Sequence, residues 1–409
     1  MTSFKGGNKV RIKIPNLWCV WIASIYIFSQ QFLYLLPESR FLQIISYFLI
    51  IILFICVYLK NPILKISWFS ILMLSTVFLS MLAAIVEKNI YMDVSFFKSF
   101  LQQSQWWIYS LLFLSIVRLL RIKKITESQI INTIVLLGII QVSIGIVQYL
   151  LSDILTFVHV SSNLRYGQPR YYYPIVLMVL LLFISIDRVL QGSQNTKKQL
   201  LIIALCFIEI VVVQKFRSTL MGVLGAMVIG FIFWKKKIVN KFIWTIIGGS
   251  VLTIIILNSH TIQDTINSLL YNSDNSLGMR NTLINFLCEN IKQHPLLGLG
   301  WVSSEAAYSY AASAYRNAYG WNVFAFADGG IFSFMFSYGI GGLVWVILLW
   351  GLMIRRGYKI IQAKRKYFYF LFPIYMLITM YIDIHWYIHD QFFVLAVFCA
   401  LEEQQYYRC

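Results

Sequence analysis

Asp328 opens the run DGGIFSFMFSYGIGGL, with two glycines behind it and no further charged residue until Arg355. A carboxylate there has two uses: it can cap the helix that the apolar run predicts, or it can be a functional group held at the helix entrance. Arg280 stands in SLGMRNTLINFLCENIKQ, Lys215 and Arg217 in VVVQKFRSTL, and Arg165 and Arg170 in SSNLRYGQPRYYYP. A guanidinium presents a fork of donors that matches phosphate oxygens; the plainer uses are surface ion pairs and snorkelling toward lipid phosphates. Tyr308, Tyr315 and Tyr319 recur in SSEAAYSYAASAYRNAYGW. Their flat faces and hydroxyls suit sugar rings, or, with Trp301 and Trp321 flanking them, an interfacial aromatic belt.

The elements that must position these groups are membrane helices. Of 409 residues, 59% are hydrophobic and 12% charged, and the mean hydropathy is +0.73, far outside the range of soluble globular chains. A hydrocarbon core of about 30 Å takes roughly 20 helical residues to cross. About twelve apolar runs qualify: 16–36, 41–59, 66–86, 104–120, 130–151, 173–190, 199–214, 218–234, 242–258, 331–354, 367–384 and 386–401. The expected fold is therefore all-α and polytopic, with helices 1–9 in residues 1–258, an external helical segment in 259–330 and helices 10–12 in 331–409. The first run is expected to stay as a helix, being too long for a cleaved signal peptide and lacking a small-residue cleavage site.

Lys and Arg concentrate before the first run and in every second loop, at Lys60 and Lys65, Arg121 to Lys124, Lys197 and Lys198, Lys235 to Lys241, and Arg355 to Lys366. Short cytoplasmic loops carry this excess, so both termini are expected in the cytoplasm. The net charge of +18 is then a topology signal facing anionic headgroups, and it calls for no nucleic acid. Under this topology the arginines at 165, 170, 217 and 280 lie outside, against the charge bias, which points to an anionic, phosphorylated lipid substrate.

In the external segment, Leu277, Ile284, Leu287 and Ile291 recur at helical spacing after Ser276, and Pro295 ends the run. Arg280 falls on that stripe. Glu209 lies inside a span, where an ionisable group is costly; it either pairs with Arg217 or touches substrate. His385 and His389 are spaced i, i+4 beside Asp383 and Asp390, but without a third well-placed ligand no metal is assigned. Of the six cysteines, Cys19, Cys56, Cys206 and Cys399 lie inside spans and Cys288 and Cys409 outside them, which gives no disulfide framework.

Three stretches together resemble the O-antigen polymerase and ligase superfamily of membrane glycan transferases, over about residues 130–345. RSTLMGVLGA, with Arg217, is similar to that family's arginine at the head of a Gly- and Ala-rich helix. MRNTLINFLCENIKQHPLLGLGW, with Arg280, resembles its arginine, amphipathic helix and Pro-Leu-x-Gly-x-Gly ending. Gly339 and Gly342 fit its Gly-x-x-Gly helix entry, about a dozen residues after the catalytic position. In the ligase branch that position is usually His followed by Asn; here it is Asp328 and Gly329, which favours the polymerase branch. Arg165 is a looser match.

The resemblance implies metal-independent transfer, without a cofactor, from a polyprenyl-pyrophosphate-linked oligosaccharide to a sugar hydroxyl at the outer face of a bacterial plasma membrane. Asp328 would be the base, and Arg217 and Arg280 the cations on the departing pyrophosphate. Arg165, Arg170, Lys215 and the three tyrosines would bind substrate. Membrane lipid and a chain-length regulator protein are the further partners it implies. A ligase acting on another acceptor is one alternative. A transporter or flippase of lipid-linked sugars is another, although such proteins usually show inverted repeats or broken midplane helices, which this sequence does not display. The topology is checked by cysteine labelling. Arg280→Cys is expected to react with an impermeant maleimide in intact cells, and Lys236→Cys only after permeabilisation; the reverse pattern would invert the topology.

Overall fold

The computed structural model describes residues 16–37, 39–59, 66–91, 94–160, 162–165, 168–171, 173–192, 195–232, 276–301, 311–316, 329–380 and 389–407. Within them the chain is helical apart from one hairpin. The helices are α1 Leu17–Ser29, α2 Arg40–Tyr58, α3 Trp68–Ile90, α4 Phe96–Gln102, α5 Ser104–Arg121, α6 Glu127–Leu150, α7 Val176–Leu190, α8 Thr196–Ile208, α9 Arg217–Ile232, α10 Ser276–Gln293, α11 Ile331–Lys364, α12 Phe368–Met380 and α13 His389–Tyr406. A π-helical turn, Glu209–Val213, follows α8 directly.

Four of these helices are long and apolar enough to cross a membrane: α2, α3, α6 and α11. Leu17–Ser29, Ser218–Gly230 and Phe368–Met380 are shorter apolar helices. The expected span 242–258 and most of the external segment before Ser276 lie outside the described residues. The hairpin is a departure from an all-α chain: β1 Ser162–Arg165 pairs antiparallel with β2 Gln168–Tyr171 in the register Ser162↔Tyr171 and Arg165↔Gln168. The tyrosine-rich end of this stretch favours extended backbone, a local preference that a search for apolar runs passes over.

Helix starts follow local capping chemistry. The Asn16 side chain accepts from the Trp18 N–H, and those of Ser67 and Ser95 accept from the N–H of Ser70 and Lys98. Thr126 and Gln129 form a reciprocal capping box at the head of α6. Two helices are enclosed over most of their length. Every residue of α7 except Arg188 is buried, and α13 is buried without a break from Asp390 to Glu403.

Polar contacts join the bundle at both ends of these helices. Near the start of α7, Asp390 Oδ2 accepts from the N–H groups of Val176 and Leu177 at 3.1 and 3.3 Å, and its Oδ1 lies 2.7 Å from the Tyr26 hydroxyl. Asp390 therefore caps a neighbouring helix. At the other end of α13, Glu403 pairs with Arg356 of α11 and, at 3.2 Å, with Arg121 of α5. The Arg356 guanidinium lies between the rings of Phe69 and Tyr406, at 4.3 and 4.6 Å from their centroids. Glu127 accepts from Lys366 at 2.5 Å, Tyr369 at 2.8 Å and Gln405.

α11 is not continuous. Gly339 has φ 59° and ψ −150° inside it, a region essentially closed to residues with a side chain. The turn after α10 fills the break: the Leu299 N–H donates to the Phe336 carbonyl at 2.7 Å, and the Ile340 N–H donates to the Pro295 carbonyl at 2.8 Å. In an unbroken helix Ile340 would donate to Phe336; here each finds its partner on the inserted turn. A methyl group at position 339 would lie 2.5 Å from the carbonyl carbon and oxygen of Leu296. Gly339→Ala is therefore expected to destabilise the protein by about 2 kcal/mol or more, measured by thermal unfolding in detergent. Gly341→Ala, whose new methyl would meet only Leu79 Cδ2 at 3.6 Å, is expected to stay within about 1 kcal/mol of the parent.

Candidate active site

The unit around Arg280 is built by burial along one face of α10. Leu283, Phe286 and Leu287 are buried and form a small core with Leu299, Ala311, Tyr315 and Phe336. The expected stripe is thus right in period, although Ile284 and Ile291 are only partly covered. Arg280 precedes Leu287 by two turns on the same side, is partly exposed, and makes no ion pair among the described residues. Burial pushes the Cys288 thiol of this helix above its ordinary value, offset in part by Lys292.

The chain then passes through HPLLGLG. Gly298 and Gly300 have φ of 68° and 88°, and this left-handed backbone lets the turn close against α11 and α3. Gly300 lies on α3, where an added methyl would meet Glu87 Cβ at 2.9 Å and the Ala83 carbonyl at 3.2 Å. Gly329 lies over α10, where an added methyl would meet Leu287 Cδ1 at 2.5 Å. The entrance to α11 and the helix carrying Arg280 are thereby one packed unit. Asp328, one residue before Gly329, lies outside the described residues, as do Tyr308 and Tyr319. Tyr315 is 2% exposed, and its ring meets Phe286 edge-on at 5.4 Å.

A second group of expected residues gathers where α6, the hairpin and the π turn meet. Tyr171, Tyr173, Val158 and Val213 form a buried cluster, with Tyr34 and Tyr149 packed on it. The Gln148 carboxamide oxygen accepts from the N–H groups of Phe157 and Val158 at 2.8 and 3.1 Å, tying the approach to the hairpin onto α6. Arg165 and Arg170 stand on β1 and β2, with Arg170 opposite Asn163; their side chains lie outside the described set. Lys215 is buried, with Nζ 5.8 Å from the centroid of the Tyr149 ring. Arg217 is the first residue of α9, and its side chain is outside the described set. Glu209 accepts from Gln214 Nε2 at 3.1 Å.

Sequence reasoning passed over Glu87. It is fully buried, accepts from Ser99 Oγ, and its Oε1 has no hydrogen-bond partner among the described residues. Ser99 also meets Gln103, whose Oε1 accepts from the Tyr338 hydroxyl at 3.1 Å. This polar chain runs from α3 through α4 to the broken helix, beneath the Gly300 turn. At the end of an apolar run, beside Lys88, a carboxylate reads as a solvated helix end. The one sequence signal was the cluster of Ser99, Gln102 and Gln103 that comes after it.

A comparison with curated proteins finds no match. Residues 200–347 match the family model described as O-antigen ligase. That range holds the π turn, α9, α10 with its inserted turn, and the broken part of α11. It also holds Lys215, Arg217, Arg280 and Asp328. The three motifs thus fall within one contiguous stretch, and that stretch is similar to the O-antigen ligase family.

Proposed function

We propose that this membrane protein is a polysaccharide polymerase that joins polyprenyl-pyrophosphate-linked repeat units, acting at the outer face of a bacterial plasma membrane. The frame for this reading is a bundle of about twelve spans with both termini cytoplasmic. The observation that carries it is the docking of α10 into the break of α11, since it unites the helix bearing Arg280 with the entrance that comes after Asp328. The matched family supplies the reaction class, glycosyl transfer at a membrane.

In this reading the acceptor hydroxyl attacks the anomeric carbon of the donor and its proton passes to the Asp328 carboxylate. The bond from the anomeric carbon to the pyrophosphate oxygen breaks, and the lipid pyrophosphate leaves with the electron pair. Negative charge grows on the leaving oxygens as that bond lengthens, so forked donors from Arg217 and Arg280 stabilise the transition state more than the ground state. Arg165, Arg170 and Lys215 add positive charge for the diphosphate, and Tyr308 and Tyr319 are the residues assigned to the sugars; Tyr315, buried against Phe286, supports α10 instead. The reaction needs no metal, because the guanidinium groups take the role of a Lewis acid.

A ligase reading uses the same donor and differs in the acceptor; the description of the matched family favours it, and Asp328–Gly329 in place of His–Asn favours polymerisation. The product separates the two, since a polymerase makes a ladder of repeat units on the lipid carrier and a ligase does not. Asp328→Asn is expected to insert normally yet leave single repeat units on the carrier, because an amide can cap a helix but cannot accept a proton, a loss of about 10² to 10⁴ in rate. Ser304→Ala, a control at a different candidate helix cap, near the start of SSEAAYSYAASAYRNAYGW, is expected to make polymer. Arg217→Lys and Arg280→Lys, which keep the charge and lose the fork, are expected to reduce polymer at normal protein levels. Polymer of ordinary length from Asp328→Asn would overturn the base assignment.

A further inference from the structure

The π turn between α8 and α9 is held by a fitted clamp that packing alone does not require. The Gln214 N–H donates to the Glu209 carbonyl at 2.9 Å, five residues back, and the Phe216 N–H donates to Ile210 at 3.2 Å. Such a turn is wider than an α-helical one and re-aims the chain beyond it. Directly after Gln214 stands Lys215 at φ 52°, left-handed backbone on a residue with a long side chain. α9 begins two residues later, at Arg217.

The side chains close the same ring a second time. Glu209 Oε1 accepts from Gln214 Nε2 at 3.1 Å, so residues 209 and 214 are joined through both backbone and side chain. The carboxylate fits only because α6 offers a glycine: a methyl at position 145 would lie 2.5 and 2.7 Å from its two oxygens. Glu209 is 2% exposed, and its Oε2 has no hydrogen-bond partner among the described residues. An apolar side chain would fill this place without the cost of burying a carboxylate. The turn ends beside the aromatic cluster of Tyr149, Tyr171 and Tyr173, with the Lys215 ammonium over the Tyr149 ring.

We propose that Glu209, seated in the notch at Gly145, is a positioning residue that sets the π turn so that Lys215 and the first residue of α9 are presented to the pyrophosphate of the donor lipid. This rests on the polymerase reading of the protein. Glu209 itself touches no substrate; it acts through Gln214 and the turn.

The test uses the full-length protein in detergent and farnesyl pyrophosphate as a soluble probe of the donor headgroup. Gly145→Ala, which displaces the carboxylate without altering a charged residue, is expected to weaken probe binding by about tenfold or more. Adding Glu209→Asp, which withdraws the carboxylate by one methylene, is expected to recover most of that loss. Glu209→Leu adds little volume and serves if Gly145→Ala does not fold. It is expected to weaken binding by a similar factor with an unchanged or higher melting temperature, which a merely structural role would not produce. If the parent binds and Arg280→Lys weakens it, while Gly145→Ala and Glu209→Leu bind like the parent, the positioning role is wrong and the donor reading stands. If the parent itself does not bind the probe, the donor reading falls and this inference with it.

Discussion

The site depends on an exchange of two backbone hydrogen bonds. α11 breaks at Gly339, and the turn after α10 enters the break, taking the Phe336 carbonyl and supplying the Pro295 carbonyl to Ile340. A backbone group left without a partner in an apolar surrounding costs several kcal/mol. Neither partner can therefore withdraw unless water reaches the break or the helix closes. Three glycines make the fit possible, Gly298 and Gly339 at the crossing and Gly300 against α3. The segment that follows α10 is joined to α11 through its main chain.

The buried carboxylates have different assignments, and their surroundings show it. Asp390 is matched to two N–H groups at the start of α7, and Glu403 to two arginines. These bind helices together at the two ends of the interior. Glu87 and Glu209 are each left with one oxygen unmatched among the described residues, and each lies against a glycine from another element, Gly300 and Gly145. A buried oxygen without a match calls for an explanation beyond packing. Both lie within or beside the elements that carry the family motifs.

Much of the fold was legible because hydropathy reports helices directly, and the amphipathic stripe of α10 was legible because Leu283 and Leu287 keep the helical period beside Arg280. Which helices lie inside was not legible. α7 and the middle of α13, Phe392 to Leu401, are apolar like a lipid-facing helix, and only tertiary packing shows that they are enclosed. Glu209 stood out as an ionisable group within a span, yet it bonds Gln214 and is seated by a glycine on another helix, and an absent side chain leaves no signal in a single sequence. The hairpin was missed because a strand of four residues holds only two periods of alternation, too few to detect. The tyrosines were read for flat faces and hydroxyls suited to sugar rings, whereas the ring of Tyr315 is buried against Phe286 of α10. Residues 317–328, Asp328 among them, lie outside the described set.

The enclosure of α13 has a consequence for biogenesis. This helix leaves the ribosome after the others described, yet it occupies the interior between α5, α7 and α11. Its Gln405 reaches Glu127, and its Asp390 caps α7. Until it arrives, α7 has an uncapped end and Arg356 lacks its carboxylate partner, so the earlier helices must wait in the membrane as a partly open set. Closure of the bundle thus depends on the last of the described helices.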